Sequence, residues 1–193
     1  MVNRNHNLTI FSIQSMEDLI TLFKNSIEEN GGFFKFVNRI ELINEIKKIS
    51  KGNEIMFAGL DESIENEIIR SDIKSISLDK MKDDRDLKNK IKNINIGITN
   101  ADALAAESGS IILVDYNYMK SFAAFLPEIH IAIAYPEKIF PGLIEALDYI
   151  INSMNELPAT IQIIQGPSKT GDIEKKIVRP SHGPKELYVF LIR

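Results

Sequence analysis

The stretch Gly97–Ser110 reads GITNADALAAESGS, and the apolar run Ile111–Val114 follows it directly. The apolar residues at its start predict a strand that ends at Ile98. Glycine is common just after the last residue of a helix, so Gly109 predicts the end of a short helix before the next strand begins. The stretch therefore predicts a strand, a helix and a second strand in succession, which is the repeating unit of an α/β fold.

Polar side chains are concentrated between these two predicted strands. Thr99 and Asp102 stand at the predicted helix start, where free backbone N–H groups and the helix dipole favour an anion. Glu107 and Ser108 follow near the end of the predicted helix. In a simpler interpretation, Thr99 or Asn100 is only an N-cap and Glu107 is a solvated side chain. Taken alone, the stretch favours the simpler interpretation.

Helices and strands alternate along the rest of the chain. This alternation predicts an α/β domain whose largely parallel sheet is covered on both faces. Ile129–Ala134 and Ile161–Ile164 are mostly apolar, as strands buried on two faces should be, whereas the C-terminal strand has a sequence compatible with a sheet edge. The predicted helices are Met16–Ile27 (with Ser15 as N-cap), Ile40–Ile49, Asp61–Arg70, Met119–Leu126 and Ile139–Met154. The further predicted strands are Phe33–Val37, Glu54–Ala58, Ile73–Leu78, Ile129–Tyr135, Thr160–Gln165 and Leu187–Ile192.

Composition restricts the functions that the chain can have. Its 193 residues, 44% hydrophobic and 26% charged, suit one globular domain over residues 1–193. The formal charge of −4 and the pI near 5.5 provide no excess positive charge for nucleic acid. The absence of cysteine excludes disulfides, thiolate catalysis and cysteine-ligated iron–sulfur clusters in this chain. No apolar run approaches the roughly 20 residues of a membrane span, and the first residues lack the order of a signal peptide, so we expect a cytoplasmic location.

Two further polar clusters accompany predicted strands. Gly166–Glu174, GPSKTGDIE, follows the strand Thr160–Gln165 and offers a glycine, hydroxyls and an ammonium that suit a phosphate or a carboxylate. Its spacing is not that of a Walker loop, and a turn with a helix cap at Asp172 is the alternative. Pro180–Glu186 holds His182 in a turn, where the imidazole can carry a proton near neutral pH. Since ligands of open α/β sheets bind at the carboxyl ends of the strands, we expect the polar clusters to meet there.

The remaining candidate side chains are weaker indications of a functional site. His130 lies inside the apolar strand Ile129–Tyr135, which predicts a hydrogen-bonded histidine of the core. No set of His, Asp and Glu has the local spacing of metal ligands, so no metal site is predicted. Ser108 lacks the upstream glycine of a nucleophile elbow. The residues alone therefore predict a crevice that favours an anion, and they indicate no particular reaction.

The second half of the chain also carries five motifs in a distinctive order. They are Gly97-Ile98-Thr99 with Ala101-Asp102, Glu107-Ser108-Gly109-Ser110, Leu126–Ala132, Gly166–Glu174 and His182–Leu187. Together they resemble the LUD domain, the family of lactate utilisation protein C. The resemblance covers about half of the chain, from Ile96 to Ile192, and the joint order of the motifs is far more specific than any one of them.

The resemblance implies a fold and a function. The implied fold is a three-layer αβα sandwich with a largely parallel sheet, similar to the NagB/RpiA/CoA-transferase group. The implied function is a part in the oxidation of L-lactate to pyruvate, together with two other proteins of which one or both carry iron–sulfur clusters. Since this chain has no cysteine, we expect it to be a cluster-free accessory or regulatory subunit with no cofactor of its own. Its expected ligand is a small anionic metabolite, and neither nucleic acid nor a membrane is an expected partner.

The family motifs further imply which residues line the ligand pocket. The implied contacts come from carboxylates, hydroxyls, an imidazole, an ammonium and two glycines. They are Thr99, Asp102, Glu107, Ser108, Gly109, Gly166, Ser168, Lys169, Thr170, Asp172, Glu174 and His182. No catalytic role follows from this mapping.

A rival hypothesis treats the chain as an enzyme on its own. In the related acyl-CoA transferases a glutamate followed closely by a glycine attacks the thioester, and Glu107 with Gly109 is similar in composition. In that hypothesis Glu107 is the nucleophile, N–H groups around Gly109 form the oxyanion site and Lys169 contacts a phosphate. His182 is the other candidate for a catalytic side chain. The substrate is then an acyl-CoA or a phosphorylated metabolite.

Overall fold

The computed structural model describes residues 15–168, 170–171, 177–178 and 183–193, with the backbone alone at 170–171 and 177–178. The helices are α1 (Met16–Glu29), α2 (Arg39–Ser50), α3 (Glu62–Arg70), α4 (Leu87–Ile91), α5 (Met119–Phe125) and α6 (Leu143–Ser153). The strands are β1 (Phe33–Val37), β2 (Ile55–Ala58), β3 (Ser75–Ser77), β4 (Ile96–Asn100), β5 (Ala103–Ala105), β6 (Ser110–Asp115), β7 (Ile129–Ala134), β8 (Ile139–Phe140), β9 (Thr160–Ile164), β10 (Thr170–Gly171), β11 (Ile177–Val178) and β12 (Glu186–Ile192). Among the described residues, no helix has the length and apolar character needed to cross a membrane.

Six parallel strands form the main sheet, in the order β1-β12-β7-β4-β2-β3. The chain adds β3 on one side of β2 and then returns to place β4 on the other side. The connections that follow β2 and β3 therefore run in opposite directions across the sheet. Ligands of open α/β sheets bind at the carboxyl ends of the two strands beside such a reversal, here β2 and β4. We call this place the switch point.

A second sheet of four strands has the order β8-β5-β6-β9. In it β6 is antiparallel to both β5 and β9, while β5 and β8 are parallel. The predicted short helix that ends at Gly109 is therefore wrong: Ala103–Ala105 is a strand, and residues 106–109 form the turn into β6. Gly109 has a left-handed φ of 63°, which serves this turn. Alanine favours helices, but β5 is completely buried and pairs with a strand on each side, and this context overrides the propensity.

Helices and the second sheet cover the two faces of the main sheet. On one face α2 and α3 pack over an apolar core contributed by β1, β2, β4, β7 and β12. On the other face lie α1, α4, α5 and the second sheet. The outer face of the second sheet is covered by α6. The predicted α/β class, with a largely parallel sheet covered on both faces, is confirmed. The second sheet is not predicted from the sequence.

Three further expectations are wrong. The helix α6 begins at Leu143 and not at Ile139, because Ile139–Phe140 pairs with β5. The strand β9 is not buried on two faces, because it is the edge of the second sheet, where Ile161 and Ile163 are 37% and 48% exposed. The strand β12 is not at an edge, because it lies between β1 and β7.

Gly97 allows α5 to lie directly against β4. A Cβ atom added at Gly97 would come 1.8 Å from the carbonyl oxygen of Ala123, a separation that real Cβ atoms do not adopt. The contact between β4 and α5 therefore requires glycine at this position. It also determines where Lys120 lies, because Lys120 is almost one helical turn before Ala123 on α5.

Candidate functional site

The predicted site residues that the structure describes lie at two opposite edges of the main sheet. Thr99 and Asp102 are at the carboxyl edge, on β4 and just after it. Ser168 is at the amino edge, because its N–H donates to the carbonyl oxygen of Pro184, 2.9 Å away and just before β12 begins. The expectation that the polar clusters meet at the carboxyl ends is therefore wrong. The strand that leads to Ser168 belongs to the second sheet, and this division of the strands is not visible in the sequence.

The turn between β5 and β6 packs against the end of α1 at the amino edge. Ser26 donates from Oγ to the carbonyl oxygen of Glu107 (3.1 Å), and Asn30 donates from Nδ2 to that of Ser108 (3.0 Å). A Cβ atom on Gly109 would lie 2.6 Å from the backbone of α1. Since Asn30 caps α1 just before β1 begins, this turn is at the amino edge as well. The side chain of Glu107 is exposed.

A cleft of about 380 Å³ lies at the same edge, between β9 and the start of β12. Phe125, Ile163 and Pro184 contribute apolar walls, and Gln165 and Ser168 contribute polar groups. Gly166 also lines the cleft, and no lining residue among those described is charged. Thr170 is described by its backbone alone, in β10. Four predicted site residues lie outside the described residues: Lys169, Asp172, Glu174 and His182.

Asp102 and Lys120 form an ion pair at the carboxyl edge. The Nζ of Lys120 lies 2.7 Å from Oδ2 of Asp102 and 3.0 Å from Oδ1. Oδ2 also accepts the N–H of Val114 at 2.7 Å. The side chains of Lys120 and Asp102 are 13% and 22% exposed, so water and salt screen this pair less than a surface pair. Both oxygens of Asp102 contact the ammonium, and the bond from Val114 fixes the carboxylate, so Asp102 holds Lys120 in place.

Asp115 positions the start of α5 and therefore also Lys120. Its carboxylate is almost completely buried, with 2% of the residue exposed. Oδ1 accepts the N–H of Asn117 (3.1 Å), and Oδ2 accepts both the N–H (2.7 Å) and the hydroxyl (2.6 Å) of Ser121. Between them, Tyr118 has a left-handed φ of 67°. The chain thus enters α5 through a tightly specified turn.

Gly59 follows β2 at the switch point and lies beneath the side chain of Lys120. A Cβ atom on Gly59 would come 2.1 Å from Cε of Lys120 and 2.9 Å from Oδ1 of Asn100. Gly59 also has a left-handed φ of 65°, and its N–H donates to Oδ2 of Asp79 at 2.7 Å. Glycine at this position therefore allows groups from β4 and α5 to meet over the end of β2.

Asn100 contributes a hydrogen-bond acceptor at this meeting point. Its Oδ1 is shielded from solvent, and no donor from the described part of the chain reaches it. Buried polar atoms of native proteins nearly always have a partner, and an unpaired one costs about 1–3 kcal/mol. Oδ1 of Asn100 is thus a buried acceptor without a hydrogen bond from the described residues.

Thr99 and His130 form a buried pair on neighbouring strands. Both residues are fully buried, and Oγ1 of Thr99 lies 2.9 Å from Nε2 of His130. The prediction of a hydrogen-bonded core histidine is confirmed. Burial lowers the pKa of His130 to about 3, so its imidazole is neutral at physiological pH. Within the described residues, no three His, Asp or Glu side chains come together in a way that could hold a metal ion.

Lys120 and Gly59 are not among the site residues predicted from the sequence. Lys120 lies on a predicted helix among apolar residues, and nothing in that pattern indicates its contact with Asp102. Gly59 does carry a signal, because it directly follows the predicted strand Glu54–Ala58, where ligands of α/β sheets bind. Asn100 is part of the opening stretch, where it is interpreted only as an N-cap.

Comparison with known proteins identifies the family. The model of the LUD domain matches residues 13–192. The chain is similar to lactate utilization protein C of Geobacillus sp. (strain WCH70), with 37% identity over 99 residues, which is 49% of this chain and 41% of that protein. It is also similar to lactate utilization protein C of Bacillus subtilis (strain 168), with 32% identity over 106 residues, which is 53% of this chain and 44% of that protein.

These matches cover less than half the length of each of the two relatives. The fold is similar to the crystal structure of a DUF162 family protein from Deinococcus radiodurans at 1.70 Å resolution. The TM-score is 0.69 and the sequence identity 18%, over 93% of this chain and 99% of that chain, so this likeness supports the fold alone. The family model, in contrast, spans nearly the whole chain, from residue 13 to residue 192. The chain therefore belongs to the LUD domain family.

Proposed function

We propose that this chain acts in lactate utilisation as a cluster-free component that works with iron–sulfur proteins and binds a small carboxylate anion at the switch point. The family and the name that its matched relatives share support the pathway. The lack of cysteine supports the division of labour, because cysteine-ligated clusters then belong to partner proteins. The observation that carries the anion site is the position of Lys120, a mostly buried cation over Gly59 at the carboxyl ends of β2 and β4, where open α/β sheets bind ligands.

The ion pair with Asp102 leaves Lys120 able to bind a further oxygen. A lysine ammonium has three N–H donors, and the two oxygens of Asp102 account for two contacts. The third donor is available to a carboxylate of a ligand. A buried ion pair contributes little net stability, because desolvation of the charges offsets their attraction. The pair is thus better explained as a means of holding an ammonium in place than as a source of stability.

The surrounding charges predict weak binding. Asp102 neutralises Lys120, and Asp79 adds a negative charge beside Gly59. A bound carboxylate therefore gains a directed hydrogen bond but no excess of positive charge. We expect a dissociation constant on the order of 1 mM, which is about −4 kcal/mol.

The rival hypothesis of an acyl-transferring enzyme has less support. It requires free backbone N–H groups beside Glu107 to hold an oxyanion. The N–H of Glu107 donates to the carbonyl oxygen of Pro141 (2.9 Å), and that of Gly109 donates to Ala106 (3.3 Å). Both donors are therefore already used within the folded chain. Loss of acyl-CoA turnover in a folded Glu107→Gln variant would nevertheless favour the enzyme hypothesis.

Calorimetric titration with sodium L-lactate tests the anion site. The change is Lys120→Met, which removes the charge and keeps an apolar stem over Gly59. We expect the affinity to fall at least about tenfold, because the charge-assisted hydrogen bond from Lys120 to the anion is lost. Lys90→Met is the matched control, since Lys90 forms an ion pair with Asp84 away from the site (2.6 Å). Equal affinities of Lys120→Met and the wild type would contradict the site.

Recovery of the tagged chain from its own cells tests the partners. The cells are grown on lactate and on a carbon source other than lactate, and co-purifying proteins are identified by mass spectrometry at low and moderate salt. We expect cysteine-rich iron–sulfur proteins that co-purify after growth on lactate. A chain that is recovered alone under all conditions would contradict this part of the proposal.

A further inference from the structure

We infer that this chain forms a two-fold homodimer in which β9 pairs antiparallel with β9 of a second copy, and Leu157 of each copy enters the cleft between β9 and β12 of the other. This dimer does not depend on the proposed anion site, which lies at the carboxyl edge of the main sheet. Three features that the proposed function leaves unused support it: the open edge of β9, the cleft beside that strand and the exposed side chain of Leu157.

The strand β9 has an open edge without the usual protection against pairing. It pairs with β6 on one side, and no described strand pairs with it on the other. Natural edge strands are commonly protected by charged side chains, by proline or by a bulge. The sequence of β9, TIQII, has neither a charged residue nor a proline, and its register with β6 is continuous over all five residues. A further strand can therefore pair with this edge.

The segment around β9 combines exposed apolar side chains with an absence of charge. Ile161 and Ile163 are exposed, and Leu157, three residues before the strand, is 91% exposed. The run 157–168 contains no charged residue. A two-fold axis brings each residue close to its own copy, so a charged residue near the axis would repel its counterpart. The absence of charge therefore favours a second copy of this segment as the partner.

Antiparallel pairing centred on Gln162 brings the exposed isoleucines together. In this register Ile161 of one copy lies opposite Ile163 of the other, and the two-fold axis repeats the contact. Cross-strand pairs of β-branched residues stabilise a sheet. The segment Ile161–Ile163, IQI, reads the same in both directions, so the two copies meet with matching side chains.

The same register brings Leu157 of one copy to the cleft of the other. It places Leu157 opposite Pro167, whose neighbours Gly166 and Ser168 both line the cleft. The cleft has apolar walls, which include Phe125, and a volume of about 380 Å³, so it can receive a leucine side chain. Transfer of an exposed leucine from water into such a pocket favours association.

The small size of the interface predicts a weak dimer. It consists of one pair of five-residue strands, each about 17 Å long, and two leucine contacts. Such an interface is smaller than the roughly 1,200 Å² at which stable complexes begin. We expect a dissociation constant on the order of 10 μM.

Sedimentation velocity tests the dimer. Between about 1 and 100 μM, a range that brackets the expected constant, the unmodified protein should change from monomer to dimer. Leu157→Asn should weaken the dimer at least about tenfold, because both clefts lose their apolar contact. Ile40→Asn is the matched control, since Ile40 is an exposed residue of α2 on the opposite face of the main sheet, and it should dimerise as the wild type does. A monomer at every concentration, or a dimer that Leu157→Asn leaves unchanged, would overturn the inference.

Disulfide cross-linking tests the register. The chain has no cysteine, so a disulfide can form only between introduced residues. Leu157→Cys and Ser168→Cys are oxidised separately and as an equimolar mixture. In the inferred register Leu157 of one copy lies beside Ser168 of the other, whereas the two copies of either residue are about 30 Å or more apart along the paired strands.

We therefore expect a covalent dimer from the mixture and none from either variant alone. Cross-linking of Leu157→Cys with itself, or no cross-linking in the mixture, would overturn the antiparallel arrangement.

Discussion

Replacement of His130 by glutamine should remove a specific part of the pH dependence of stability. His130 is fully buried, and burial lowers its pKa from 6.5 to about 3. Between these two values the unfolded chain binds a proton at His130 and the folded chain does not. The free energy of unfolding therefore decreases as the pH falls below about 6.5, and the decrease continues down to about pH 3.

The magnitude follows from these two pKa values. A shift of one pKa unit corresponds to about 1.4 kcal/mol. The free energy of unfolding therefore decreases by at most about 1.4 kcal/mol for each pH unit between the two pKa values. Proton linkage then predicts that His130 lowers the free energy of unfolding by about 2 kcal/mol between pH 7 and pH 5. Glutamine does not titrate, and its amide nitrogen is placed near the position of Nε2, which lies 2.9 Å from Thr99.

Urea unfolding of the wild type and His130→Gln, followed by circular dichroism at pH 7, 6 and 5, measures this difference. Carboxylates and the other histidines titrate in both proteins, so their contributions cancel in the comparison. We expect the stability of the wild type relative to the variant to decrease by about 2 kcal/mol from pH 7 to pH 5. Parallel pH profiles would refute the reasoning, because they would show that His130 binds its proton equally in the folded and unfolded chains.

Two further predictions concern close contacts of glycines. Gly97→Ala should lower the free energy of unfolding in urea by about 3 kcal/mol or more, because its Cβ atom would meet Ala123 at 1.8 Å. Gly52→Ala is the control, with a left-handed φ of 83° but nothing within 4 Å of the added Cβ atom, so it should lose only about 1 kcal/mol; equal losses would contradict the close contact. Gly59→Ala should displace Lys120 and weaken binding of L-lactate in calorimetry, whereas wild-type affinity in a folded variant would contradict the position of that side chain.

Local patterns are sufficient to predict most of the main sheet. The apolar run of β7 is a strand with neighbours on both sides, and Ser15 caps α1, where its side chain accepts the N–H of Asp18. Such signals work because they depend on a few adjacent residues: the alternation or periodicity of apolar side chains and the unpaired N–H groups at a helix start.

The second sheet is beyond the reach of local patterns. Ala103–Ala105 has the composition of a helix, and only its two strand neighbours make it a strand. The apolar sequence of Ile161–Ile164 similarly predicts burial on two faces, although this strand is the edge strand of the second sheet. Both errors arise because the assignment of strands to two different sheets depends on contacts between residues distant in sequence.

The candidate site, like the fold, is predictable from local sequence patterns only in part. Asp102 is predictable, because it follows a strand of the main sheet. Its partner Lys120 is 18 residues away, and their contact depends on how closely α5 approaches β4. The separation of Gly166 and Ser168 from Asp102 likewise depends on the path of β9 in the second sheet.

Mapping of amide chemical shifts in ¹⁵N-labelled protein, titrated with L-lactate, is the most direct test of the switch-point site. We expect the amide signals of Gly59, Asn100 and Lys120 to shift with increasing L-lactate, and these shifts to disappear in Lys120→Met. Shifts confined to Gly166 and Ser168 would place the ligand at the amino edge and contradict the proposed site. The absence of any shift at millimolar L-lactate would contradict it as well.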